Sequence, residues 1–351
     1  MKRERLEGMG SRVLMVLLSL LLSLVVGSVF ILIAGRDPID AYRQLLIVPF
    51  SSKTNIGELL TNLTPLLIAG AGMAVARCAG LTNLGGEGQI YMGAMGLIIV
   101  CTSGLKDVLG VYVIIPGILS AMLMGGMWGG ISGVLRSYFN ANEIITSLLL
   151  NYVAVNLVGF AVRGPLQEPT GVAPESEKLL DILRLPKLIP ASRAHTGIFI
   201  AIVVLLLYYI FIYRTRVGYN IRVLGGSPKA ALYSGINPKK YYLSVMALSG
   251  AVAGLVGCVE VMGVYYKLTE KLAGSIGFTG VVIALLGMKH PVGIFFAALL
   301  MALLNTGGQY IQVSSNIPAS LVDILQGLIV LFVLFGLSLN LAGKLRKKKE
   351  G

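Results

Sequence analysis

Hydrophobic runs of spanning length, separated by short polar breaks, set the pattern of this 351-residue chain. A hydrocarbon core of about 30 Å requires roughly 20 apolar residues per helix. Ten runs meet or approach that length: Val13 to Ala34, Glu58 to Ala76, Ile90 to Thr102, Val108 to Leu135, Ile144 to Val162, Gly197 to Tyr213, Tyr241 to Met262, Ile276 to Met288, Val292 to Val313 and Pro318 to Leu341. The third and eighth are short, which predicts broken or partial crossings. The first follows Lys2, Arg3, Arg5 and Arg12 as a signal peptide would. It is longer than such a segment, however, and Gly35-Arg36-Asp37-Pro38 is no small-x-small cleavage site, so it reads as a span. The pattern predicts an all-α polytopic membrane protein of about ten transmembrane helices, forming a single transmembrane domain over 1–351.

Composition agrees with lipid as the solvent. Hydrophobic residues make up 56%, charged residues 13%, and mean hydropathy is +0.82. The net charge of +13 could suggest nucleic acid, but the Lys and Arg cluster beside the apolar runs. The positive-inside rule expects them there, so nucleic acid is not a partner. Arg77, Arg136, the 214–240 loop and the 342–351 tail then face the cytoplasm, as do the 1–12 segment and both termini. The 164–196 segment, with five prolines and no run of spanning length, is an external loop or small interfacial subdomain.

Little conventional chemistry is present. Cys78, Cys101 and Cys258 lack paired spacing, and His195 and His290 form no metal-binding or relay pattern, so no metal or catalytic residue is assigned. No G-x-x-x-x-G-K-[ST] run occurs. If ATP drives the protein, another subunit binds it, and this chain has no cofactor of its own.

Polar side chains embedded in apolar sequence are the informative exceptions, because burying them in lipid is costly unless they face a cavity or each other. Asn83, Glu87, Gln89, Asn142, Glu143, Asn151, Asn156, Asn305 and Gln309 qualify, with Glu260 and Asp323 in or near spans. The stretch Leu81-Thr82-Asn83-Leu84-Gly85-Gly86-Glu87-Gly88-Gln89 is too polar and glycine-rich for a lipid-facing helix, so protein or water must shield it. Asn83, Glu87 and Gln89 either line a pathway or satisfy a helix break. For Asn151 and Asn305 interhelical bonding is the favoured reading. Small residues recur at i, i+4 in Gly125 to Gly130 and in Gly250 to Gly254, which predicts close helix packing. Each of those two spans precedes a shorter stretch, Ala141 to Asn151 and Gly277 to Gly287, a pairing that hints at a diverged internal repeat.

The most basic loop contains a short punctuated helix. Ser227 and Pro228 suit its N-cap and first position, and Gly235 suits its stop. The residues Gly225-Gly226-Ser227-Pro228, with Ala230, Ala231, Tyr233, Ser234 and Gly235, resemble the coupling-helix segment of permeases in the ribose and nucleoside ABC importer group. Asn83 to Gln89 is similar to a second hallmark of that group. With Asn142 to Ile145 and Gly277 to Gly287, the resemblance covers roughly Leu60 to Gly336. It is stronger to nucleoside permeases than to ribose permeases, and branched-chain amino-acid permeases are more distant relatives.

The resemblance implies a permease subunit of the inner membrane that imports a nucleoside, powered by a separate ABC ATPase docking on Ser227 to Ser234. It also implies an extracytoplasmic solute-binding protein and a second permease subunit, usually a different chain. Amides such as those of Asn83, Gln89 and Asn151 suit the ring nitrogens, carbonyls and hydroxyls of a neutral nucleoside. Two alternatives remain open: a simple sugar such as ribose moved by the same mechanism, and a proton-coupled secondary transporter using Glu87 or Glu143.

Overall fold

The computed structural model describes residues 18–19, 21–315 and 319–347. The 1–12 segment, the start of the first span, Pro318 and the end of the basic tail lie outside them. Among the described residues there are helices, short 3-10 turns and three isolated bridges, but no strand. The described helices are α1 (Leu21–Ile33), α2 (Pro38–Leu46), α3 (Lys53–Cys78), α4 (Gly86–Thr102), α5 (Leu105–Leu109), α6 (Ile114–Phe139), α7 (Glu143–Arg163), α8 (Gly197–Arg214), α9 (Arg216–Gly226), α10 (Pro228–Tyr233), α11 (Pro238–Glu260), α12 (Ile276–Leu286), α13 (Pro291–Ser315) and α14 (Ala319–Lys347).

Six described helical stretches are long and apolar enough to cross a membrane: Lys53–Cys78, Leu105–Phe139, Glu143–Arg163, Gly197–Arg214, Pro238–Tyr265 and Pro291–Val313. The sequence pattern predicts ten crossings; of the four others, the runs of α1 and α14 reach into residues outside the description, and α4 and α12 are shorter helices. α12 has 11 residues, or about 16 Å at 1.5 Å per residue, half of a hydrocarbon core. α4 begins at Gly86, inside the polar segment rather than after it, and reaches 17 residues. Apolar runs mark what lipid tolerates, whereas helix ends follow caps and tertiary contacts.

The chain clusters into two compact units, Met1–Ile56 with Leu303–Gly351, and Gly57–Ala302. In the first, the Tyr42 hydroxyl donates to the Leu24 carbonyl at 2.6 Å, tying α2 to α1. In the second, α4, α6 and α11 form the packed centre. α11 crosses both partners at glycines, as the small-residue pattern predicts. A Cβ placed on Gly254 would sit 2.3 Å from the Ala121 carbonyl oxygen of α6, and one on Gly93 would sit 2.3 Å from the Gly254 Cα. The three backbones are in van der Waals contact, the arrangement that replaces the hydrophobic effect as a source of helix association in lipid.

α11 ends in a π turn, Val261–Tyr265. The segment after it supports the 164–196 region, which lies at the opposite end of α8 from α9 and α10. Leu179 N–H donates to the Tyr266 carbonyl at 2.7 Å, Ser176 N–H to the Leu268 carbonyl at 3.1 Å, and Leu185 N–H to the Met262 carbonyl at 3.0 Å. Glu175 pairs with Lys267, and the Arg184 guanidinium lies 4.5 Å from the Tyr266 ring centroid. The segment is thus a small folded cap.

A Gly254→Leu substitution should abolish the folded protein in membranes, because overpacking a tight core costs about 1–3 kcal/mol or more and here the obstacle is backbone. Gly130→Ala, whose Cβ would meet only the Ala247 Cβ at 3.8 Å, should leave the yield of folded protein unchanged. Size-exclusion recovery after detergent extraction distinguishes the two.

Candidate functional site

The polar stretch between α3 and α4 is a break in the helix, capped at both of its ends. α3 ends in a Schellman motif: Leu81 N–H donates to the Ala76 carbonyl at 3.1 Å and Gly80 N–H to the Arg77 carbonyl at 3.1 Å, with Gly80 at φ +82°. Leu81 to Leu84 is non-helical, so beyond the Leu81 N–H its backbone groups have no helical partners. Side chains of α7 supply those of Leu84. Asn151 of α7 accepts from Gly88 N–H at 2.9 Å through Oδ1 and donates through Nδ2 to the Leu84 carbonyl at 2.8 Å. Ser147, one turn earlier on α7, accepts from Leu84 N–H at 3.1 Å.

Asn83 closes the break on the other side. Its Oδ1 accepts from Gly85 N–H at 2.9 Å and from Gln89 Nε2 at 3.1 Å. Its Nδ2 donates to Gln89 Oε1 and to Ser249 Oγ of α11, both at 2.9 Å. Asn83, Gln89 and Asn151 are 2%, 1% and 4% exposed, so their hydrogen-bonding capacity is spent within the protein. Of the two readings the sequence leaves open for Asn83 and Gln89, this geometry fits satisfaction of a helix break, and Asn151 makes the interhelical bonds favoured for it. Ser147 and Ser249 complete the network, and sequence reasoning missed both, because a lone serine in an apolar run carries no distinguishing signal.

Glu87 is different. It sits half-buried in the first turn of α4, and its carboxylate has no hydrogen bond or ion pair among the described residues. The Gly277 backbone of α12 lies against it, since a Cβ on Gly277 would meet the Glu87 Cγ at 2.7 Å. One turn along, Tyr91 donates its hydroxyl to the Glu270 carbonyl, and the Glu270 side chain pairs with Arg163.

The other candidates lie elsewhere. Asn142 is the N-cap of α7, accepting from Ile144 N–H at 2.9 Å, and Glu143 in that helix's first turn pairs with Arg136 at 3.4 Å. Asn305 is half-buried in α13, in the other compact unit. Asn156 is exposed and donates back to the Tyr152 carbonyl at 2.7 Å. Gln309 and Asp323 are exposed. Glu260 is buried at the end of α11.

The loop helix α10 folds as its punctuation predicts. Ser227 Oγ accepts from Ala230 N–H at 3.3 Å, Pro228 occupies the first turn, and Gly235 at φ +76° closes a second Schellman motif in which Ile236 N–H donates to the Ala231 carbonyl at 2.9 Å. Gly225 and Gly226 end the preceding helix α9 instead of belonging to α10. Ala231 is fully buried, whereas Leu232 is 64% and Tyr233 92% exposed, so the outward face of the helix is an apolar-aromatic pair.

α9 connects this surface to the break. A Cβ on Gly225 would lie 2.0 Å from the Cys78 carbonyl oxygen, and one on Gly80 3.4 Å from the Gly225 Cα. The loop therefore rests directly on the turn that leads into Leu81. A second contact reaches the α12–α13 turn: the Arg222 guanidinium lies 5.1 Å from the Tyr213 ring centroid, and Tyr208 and Tyr213 donate to the Lys289 carbonyl at 2.5 and 3.0 Å. That turn holds Met288 and Lys289 at φ +50° and +65°, a conformation non-glycine residues adopt at a cost.

At the opposite end of α8, Arg193 binds Glu58 of α3, with Nη2 to Oε2 at 2.8 Å, and this pairing raises the guanidinium pKa. His195 is 2% exposed, accepts from Gly197 N–H at 3.1 Å through Nδ1, and is pushed by burial down to about 4. It is therefore neutral at physiological pH.

The described residues thus form a helical bundle with a capped helix break, a loop resting on it through α9, and an exposed helix α10 beyond. The comparisons with known proteins place the chain. Residues 55–334 match the family described as branched-chain amino acid transport system / permease component, and the chain belongs to that family. The chain is 34% identical to a glucose ABC transporter permease of Haloferax volcanii, over 90% of this chain and 86% of that one. It is 30% identical to a guanosine ABC transporter permease of Bacillus subtilis, over 96% and 98%. A nucleoside ABC transporter permease of Lactococcus lactis matches at 30%, over 92% and 90%. The chain is an ABC transporter permease of the nucleoside and sugar type.

Asn151→Ala would orphan the Gly88 N–H and the Leu84 carbonyl together, and should cost about 2–6 kcal/mol at about 1–3 kcal/mol per unsatisfied buried group. Asn156→Ala, on the exposed face, should cost under about 0.5 kcal/mol. Thermal unfolding in matched detergent gives the comparison.

Proposed function

We propose that this chain imports a nucleoside across the cytoplasmic membrane, as one permease of a complex containing a separate ABC ATPase, a second permease subunit and an extracytoplasmic binding protein. Both termini and α10 face the cytoplasm, following the distribution of Lys and Arg. The guanosine and nucleoside relatives, matched over nearly their whole lengths, support the substrate class. The glucose relative supports the alternative, a simple sugar carried by the same mechanism.

The observation that carries the mechanism is the contact between Gly225 and the Cys78 carbonyl. The ATPase docks on Leu232 and Tyr233 of α10, and its movement reaches the turn at Gly80 through α9. The broken segment moves with that turn, taking α7 and α11 with it through Asn151 and Ser249. Amide side chains spent on the break leave Glu87 as the carboxylate facing the path, where two oxygens accept from ribose or sugar hydroxyls. Glu143, paired with Arg136, is less suited to carrying a proton on its own.

Uptake of labelled guanosine and uridine, with ribose and glucose as competitors, tests both levels. Chain-dependent nucleoside uptake should fail on ATP depletion and survive an uncoupler. Sugar-specific uptake would overturn the substrate alone, and uncoupler-sensitive uptake would overturn the mechanism in favour of a proton-coupled transporter.

Docking has its own expected outcome. Tyr233→Asp and Leu232→Asp should each reduce co-purification of the ATPase and lower uptake at least tenfold, with normal permease levels in the membrane. Ala231→Asp is a poor probe, because Ala231 is buried and its substitution breaks the loop itself.

A further inference from the structure

A recess of about 650 Å³ opens on the membrane-facing side of the second compact unit. Its floor is Ala71 and Val75 of α3, 2% and 4% exposed, and its walls include Met122 of α6, Leu207 of α8 and Leu248 of α11. A second recess of about 300 Å³ adjoins it, with Phe211 and Leu248 lining both. Along α8 the larger recess runs from Ile200 to Phe211, about 16 Å at 1.5 Å per residue and about half of a hydrocarbon core of about 30 Å. The smaller one ends at Lys240, Tyr241 and Ser244.

The chemistry changes along the trough. Its depth is almost wholly apolar, so it offers nothing to a nucleoside or a sugar. Its end is polar and basic: Lys240 lines it and is exposed with no ion pair among the described residues. From its distribution of Lys and Arg, this end lies at the cytoplasmic interface. Basic residues there attract anionic headgroups at about 1 kcal/mol each.

A transmembrane helix of another subunit is the competing occupant. The α8 wall of the trough is made of Ile200, Val203, Val204, Leu207, Tyr208 and Phe211. Helix pairing in lipid draws on small residues that let backbones approach, whereas the walls here are bulky and the small lining residues are Ala71, on the buried floor, and Thr215, past the end of α8. The glycines that could serve, on α4, α6 and α11, already face one another inside the unit. A flexible acyl chain adapts to a bulky, uneven trough where a helix does not.

We propose that this trough is a specific site for one anionic phospholipid, with an acyl chain lying between α3, α6, α8 and α11 and the phosphate held near Lys240. The lipid fills the space beside α11 and α8, the helices that lead into and out of the cytoplasmic loop, and so braces the element that receives the ATPase. The assignment stands on the trough and the unpaired lysine, whichever solute is carried.

The test uses the full-length chain in detergent, titrated with phosphatidylglycerol or phosphatidylcholine and examined by native mass spectrometry. The wild type should retain one phosphatidylglycerol at least fivefold more than phosphatidylcholine. Lys240→Ala should remove that preference while leaving basal lipid binding. Leu248→Trp and Leu207→Trp, which fill the trough from two different helices, should each reduce retention of both lipids, and thermal unfolding identifies whichever variant remains folded. Equal retention of the two lipids by the wild type would overturn the proposal, as would retention unaffected by a folded trough-filling variant. Cross-linking of a cysteine at Val203 to the second permease subunit would overturn it in favour of a protein occupant.

Discussion

The backbone of Leu81 to Gly85 has to be hydrogen-bonded without a helix and away from water, and much of the second unit is arranged around that requirement. An unsatisfied peptide group in hydrocarbon costs several kcal/mol, so a helix break there persists only if other elements supply donors and acceptors. Three do so here. The Schellman turn closes the end of α3, α7 contributes Ser147 and Asn151, and α11 contributes Ser249 through Asn83. The glycine contacts that bring α11 against α4 and α6 hold Ser249 within reach of Asn83.

In the proposed mechanism, a break held in this way is also a joint. A continuous helix transmits a push along its axis, whereas a non-helical segment fixed to two neighbouring helices can redistribute the push between them. The loop helices α9 and α10 meet this segment at the turn of Gly80, where Gly225 comes so close to the Cys78 carbonyl that no side chain fits between. The same loop reaches the strained turn at Met288 and Lys289 through Arg222 and Tyr213. Segments on both sides of the α4 N-terminus are therefore within reach of one loop: α7 at Gly88 and α12 at Gly86 and Glu87. These are the two short stretches whose resemblance hints at an internal repeat.

Much of this was legible in the sequence because it depends on contrast. Polar and glycine residues in an apolar context announce the segment from Asn83 to Gln89, and Ser227, Pro228 and Gly235 announce α10. What remained hidden depends on tertiary proximity. Nothing in Gly225 distinguishes it from Gly226, yet one meets backbone and the other open space. A six-residue helix is too short for periodicity to show that Ala231 is buried and Tyr233 exposed. Asn142 and Glu143 are polar beside an apolar run, as path residues would be, but there they cap and pair the start of α7. The bounds of α4 and α12 differ for a related reason, since these helices start where their contacts begin rather than where apolar sequence does.

Residue-resolved amide exchange of the full-length chain in lipid nanodiscs tests most directly whether the break is sealed. The account predicts that the amides of Leu84, Gly85 and Gly88, held by Ser147, Asn83 and Asn151, exchange as slowly as those in the middle of α4. Exchange as fast as that of the exposed residues Ser234 and Gly235 would show that the break is open to water, and would contradict it.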